Sequence, residues 1–109
     1  MNFTIETSKR YLRSVLNNFH EYGFSYRSVA LEGEDATHGL TIEKAVEEAF
    51  AGDLCHVTLT NVKERSRKIG LLVVLDHPQP PMDLIADYGA ANEDDMEIAQ
   101  RCIEGGSGV

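Results

Sequence analysis

The chain is short of cysteine, proline and positive charge, and it has no long hydrophobic run. Two cysteines, Cys55 and Cys102, stand far apart among 109 residues. That excludes a disulfide framework and reads as two free thiols of a reducing compartment. There is no CxxC and no HExxH, and the four histidines are scattered, so neither a metal site nor a cofactor is expected. Only 10 lysines and arginines face 18 acids, a net charge of −8. Direct nucleic-acid binding needs a dominant basic surface that displaces counterions, so this balance argues against it. The longest apolar run, Gly70 to Leu75, falls far below the roughly 20 residues that cross a bilayer. The opening "MNFTIETSKR" has no apolar signal core before its charges. The expectation is a cytoplasmic protein with no membrane association.

The charge that is present is unevenly placed. Residues 32–53 carry seven acids against Lys44, and residues 76–109 carry eight acids against Arg101. The basic residues concentrate between them, as Lys63, Arg65, Arg67 and Lys68 in the stretch "KERSRK". Two acidic blocks and one basic loop suit a protein that meets a charged protein surface. An ordinary solvated surface is the competing reading of the same charges.

A length of 109 residues is that of one domain. Apolar positions Tyr11, Leu12, Val15, Leu16 and Phe19 make one helical stripe, so a helix is expected from Ser8 to Tyr22, capped by Thr7 or Ser8 and stopped by Gly23. "FSYRSVALE" at 24–32 reads as a strand, and "GEDATHG" after it as a loop. Thr41 caps a second helix in which Ile42, Ala45, Val46, Ala49 and Phe50 face inward, with Gly52 ending it. Glu43, Glu47 and Glu48 take its outer face.

"LCHVTLTN" alternates with a period of two, so one of its faces is buried and the other wet. "KIGLLVVLDH" is apolar at every position from Leu71 to Leu75 and reads as a central strand covered on both faces. The basic loop joins the two as an antiparallel hairpin. Pro78, Pro80 and Pro81 must end the second strand, because proline gives the ladder no N–H. "MDLIADYG" fits a short helix opened by Pro81 or a further strand, and the alternation of Leu84, Ala86 and Tyr88 favours the strand. Asn92 caps a last helix, Glu93 to Glu104, with Met96, Ala99, Cys102 and Ile103 inward; "GGSGV" reads as a flexible tail. The expected fold is α+β, in the order α-β-α-β-β-(β)-α: an antiparallel sheet of three or four strands with amphipathic helices packed on it, over residues 1–104, followed by a tail at 105–109.

Candidate chemistry is thin. Asp76-His77, at the end of the central strand, is a carboxylate beside an imidazole, but strand neighbours point to opposite faces, so the pair reads as a structural corner. Cys55 could act as a nucleophile only with a histidine from elsewhere, His38 or His77, because the adjacent His56 lies on the other strand face. No catalytic residue is assigned.

The succession of an amphipathic helix, "TIEKAVEEAF", a hairpin running into "GLLVVLDHPQPPMDLIADYG" and an acidic helix resembles small proteins encoded by bacteriophages and related mobile elements. The likeness spans residues 8 to 104 as a pattern, with "LLVVL…DLIADY" its specific part, and the proline-rich "DHPQPP" corner departs from it. It implies an origin in a bacterial host's cytoplasm and no carried-over catalytic residue. Small phage proteins often bind and block a host protein, including CRISPR effectors, nucleases and polymerases, so the resemblance implies a non-enzymatic inhibitor of a host defence or nucleic-acid machine. Its expected contacts are Glu43, Glu47, Glu48, Asp94 and Asp95 on helix faces, with Lys63, Arg65, Arg67 and Lys68 as a second surface. The alternatives from other classes are a small cysteine-dependent enzyme and a protein that self-assembles into a homodimer through an exposed strand edge.

Overall fold

A computed structural model describes residues 4–76 and 80–106. The elements run α1 (Ile5–Glu21), β1 (Tyr26–Leu31), β2 (Thr37–Leu40), α2 (Ile42–Ala49), β3 (Leu54–Thr60), β4 (Lys68–Val74), a single 3-10 turn (Pro81–Asp83), β5 (Ile85–Ala90) and α3 (Glu93–Gly106). The strands form one sheet in the order β2-β1-β3-β4-β5, with every neighbouring pair antiparallel. This is the expected α+β class with one additional strand. No helix among the described residues is long and apolar enough to cross a membrane.

Local sequence accounts for most of the elements. Thr4 caps α1, its hydroxyl accepting from the Thr7 N–H at 3.1 Å, so the helix starts before the expected Thr7 or Ser8. Thr41 caps α2 as expected, accepting from the Lys44 N–H at 3.2 Å, but the helix ends at Ala49 rather than at Gly52. The stretch after the prolines holds both of its candidate conformations in succession, a 3-10 turn and then a strand. Proline at the start of a turn has no N–H to leave unpaired, which suits the first. The ladder with β4 secures the second.

Three expectations need correction. The segment read as a loop before α2 contains β2, which pairs with β1 in an irregular register, Arg27 opposite Leu40 but Val29 opposite Thr37. Gly39 sits in this bulge at φ +67, and the Arg27 Nε donates to the Leu40 carbonyl at 2.8 Å. Tertiary bonding holds a strand there that its polar, glycine-rich sequence conceals. Next, β4 is covered on one face only: Ile69, Leu71 and Val73 are buried, whereas Leu72 and Val74 are half-buried and Gly70 is exposed. Finally, α3 runs through Gly106, which is buried, so the tail does not begin at 105. A Cβ on Gly106 would lie 2.4 Å from Val15 Cγ2, so glycine there lets α3 close on α1.

The core lies between the sheet and a single layer of helices. Leu12, Val15, Leu16 and Phe19 of α1 and Val46 of α2 meet Val29, Cys55, Val57, Leu59, Ile69, Leu71 and Val73 of the sheet. Each fully buried side chain of this size contributes roughly 1.5–3 kcal/mol relative to exposure. No described element lies over the opposite face of the sheet.

Candidate interaction surfaces

The acids are segregated by element. Of the 18, Asp87 alone lies in a strand, and the others occupy helices and loops. On α2, Glu43 is bonded by Arg13 of α1, and Glu47 is 3.4 Å from Lys44. Glu48 is half-buried and shares a shallow cleft with Glu34, Asp35 and Thr37. On α3, Glu93 and Asp94 are exposed in the first turn, where the helix dipole favours negative charge. Asp95 differs from its neighbours. It is 1% exposed and turned inward, while Met96, expected inward, is 36% exposed.

Asp95 faces inward because Arg67 meets it. Arg67 Nη2 donates to Asp95 Oδ1 at 2.6 Å, and the same guanidinium lies 5.3 Å from the centre of the Phe24 ring. The guanidinium holds the Asp95 carboxyl below its ordinary range, and the Asn92 side-chain amide reinforces this against the opposing effect of burial. The Asn92 side-chain Oδ1 in turn accepts from the Asp95 N–H at 2.8 Å, which completes the helix cap.

The basic loop is therefore partly internal. The Asn61 side-chain oxygen accepts from the Lys63 and Glu64 N–H groups and shapes the loop, and Arg67 fastens it to α3. Arg65 is exposed, with its guanidinium 5.7 Å from the centre of the Tyr26 ring. Lys63 and Lys68 are exposed. The structure thus does not gather the four cations into one patch. Arg67 bonds inside the fold, and Lys68 belongs to the uncovered sheet face.

That face is the surface the sequence did not disclose. Its middle row runs across four strands as Ser28, Thr58, Gly70 and Gly89, in register. On one side of it lie Tyr26, Thr60 and Lys68, and on the other Ala30, His56, Leu72 and Asp87. His38, in the β2 bulge, lies with its Nδ1 2.9 Å from Ser28 Oγ. The two glycines leave bare backbone as the floor of a depression of about 290 Å³, rimmed by His56, Leu72 and Asp87. A signal was present in the alternation of His56, Thr58 and Thr60. The unbroken apolar run of β4 masked it.

A second hollow, of about 630 Å³, opens where α1 starts, lined by Ile5, Ser8, Lys9, Phe50, Asp53, Leu75 and Asp76 among others. Ser8 Oγ is buried there without a hydrogen-bond partner. Of the Asp76-His77 pair, Asp76 borders it, and His77 lies outside the described residues.

Cys55 faces away from the described histidines of the sheet, and Cys102 lies near the like charge of the Glu21 carboxylate, which discourages a thiolate. Cys55 is buried on the helix side, its Sγ 3.8 Å from the Ala49 carbonyl, whereas His38 and His56 lie on the opposite sheet face. Burial pushes the thiols of Cys55 and Cys102 up to about 11. Among the described residues no group of three or more histidine, cysteine or acidic side chains is placed to hold a metal ion. No family model matches the chain, and no curated protein or solved structure matches it either.

Proposed function

We propose that this chain is a non-enzymatic binding domain that acts by protein–protein contact, presenting the acidic faces of α2 and α3 to a basic surface of a host protein. The observation that supports this reading is the segregation of charge, with 17 of 18 acids outside the strands once Asp87 is set aside. A surface of one sign attracts a partner of the other over about a Debye length, some 8 Å at physiological salt, and raises the rate of encounter. The phage-like pattern makes a defence or nucleic-acid-processing complex the target class, with inhibition as the outcome.

The test is affinity capture from a bacterial lysate, eluted with rising salt, for the native chain and for a variant carrying Glu47→Lys, Glu93→Lys and Asp94→Lys. These three side chains are exposed, but lysines in the first turn of α3 oppose the helix dipole, so the melting temperature of the variant is measured beside its capture, and only capture lost from a folded variant counts. The reading requires one dominant host protein that elutes with salt and is lost from the variant. Equal capture by both chains would sink it.

A further inference from the structure

The uncovered sheet face has three properties in combination: its strands carry one acid, it is partly apolar, and its centre is a shallow depression floored by glycine backbone. Its strand charges, Lys68 and Asp87, cancel, and Arg65 adds a positive charge at the Tyr26 corner, whereas the chain as a whole carries −8. Leu54 and Leu72 are half-buried on it with no described element above them. We infer that this face is covered by a second copy of the chain, in a two-fold dimer whose sheets stack face to face.

The register supplies the argument. The small-residue row Ser28, Thr58, Gly70 and Gly89 has one flanking row on each side, two residues away along the strands. Two residues of strand are about 7 Å. A two-fold axis along the small-residue row superposes one flanking row on the other row of the partner. Ala30 of the second copy then stands over Tyr26, whose ring also carries the Arg65 guanidinium at 5.7 Å, and His56 over Thr60, which is only 8% exposed. Lys68 stands over Leu72, its stem on the leucine and its ammonium one strand spacing, about 4.8 Å, from Asp87. The same contacts recur by symmetry, as an isologous interface requires. The glycines fall on the axis, between the two flanking rows. Aligned sheets about 10 Å apart, with their strands about 30° from parallel, are the ordinary packing for such faces.

Charge selects this face. Two copies at −8 repel through the acidic faces of α2 and α3 and meet with little repulsion through the sheet. Area sets the strength. Five strands at about 4.8 Å and seven residues at about 3.4 Å give a projected face of roughly 550 Å² per copy. Stable interfaces bury roughly 800 Å² per partner, so the dimer forms reversibly with concentration. The strand edges are poorer docking sites. β2 is short and bulged at Gly39, and the β4–β5 ladder shifts register between Leu72 and Val73. The inference stands apart from the proposed helix-side contact, because it uses the other face.

The experiment is sedimentation equilibrium of the full chain over a roughly hundredfold range of concentration. The native chain is expected to shift from monomer to dimer across that range. Thr58→Arg, which places two like charges at the axis, is expected to weaken the dimer by at least about tenfold while the melting temperature holds. Lys68→Glu and Asp87→Lys are each expected to weaken it, and the double swap to restore it. That rescue keeps the test independent of any folding defect in Thr58→Arg. A chain that stays monomeric throughout overturns the inference. So does a dimer that none of these substitutions changes.

Discussion

Arg67 and Asp95, 28 residues apart, are joined by a short charge-assisted hydrogen bond of 2.6 Å that ties the loop after β3 to the first turn of α3. Removing Asp95 leaves the loop unfastened and opens the α3 cap. Asp95→Ala is expected to cost about 2–3 kcal/mol, below the largest values for buried pairs because Arg67 keeps 29% of its side chain in water. Urea denaturation of the two chains measures it.

The same pair makes stability depend on pH. The folded Asp95 carboxyl titrates below its ordinary 3.8, so folding favours its ionised form. The stability that it contributes is complete above the ordinary carboxylate range and is lost as the pH falls through the depressed folded value. Denaturation between roughly pH 5 and pH 2 is expected to show a steeper loss in the native chain than in Asp95→Asn, which has no such proton to take up.

Gly106 is expected to tolerate no side chain. An alanine Cβ would meet Val15 Cγ2 at 2.4 Å and Tyr11 Cε1 at 3.2 Å. Gly106→Ala is expected to destabilise by about 1–3 kcal/mol, despite alanine's better helix propensity. Thermal melting followed by circular dichroism is the check, and an unchanged melting temperature would mean that the end of α3 is not packed as described.

Ser8 points the other way. Its hydroxyl is buried without a partner, in a helix that alanine favours. Ser8→Ala is expected to raise stability by up to about 1 kcal/mol. A loss of stability would show that the hydroxyl has a partner in solution.

Both thiols are expected to resist alkylation. With Cys55 and Cys102 pushed from 9.0 to about 11, the thiolate fraction near neutral pH falls roughly hundredfold, and burial slows the reaction further. Iodoacetamide labelling of the folded chain should be slow for both and fast only in denaturant. Rapid labelling of folded Cys55 would favour the cysteine-enzyme alternative.

By itself the sequence determined the α+β class, the apolar stripes of α1 and α2, the Thr41 cap, the β3–β4 hairpin and the break at the prolines. Those features follow from periodicity, capping chemistry and the missing proline N–H, which act over a few residues. The tertiary structure alone decided that β2 exists, because its ladder and the Arg27 bond come from β1. It also decided which way α3 faces. Periodicity put Met96 inside, but the carboxylate of Asp95 is drawn in by a guanidinium from a distant loop. The largest difference is the face of β4. An unbroken run of leucine and valine looks the same whether one side of a strand is covered or both. Only the placement of all three helices on one side leaves Leu72 and the Gly70–Gly89 floor exposed or half-exposed on the other.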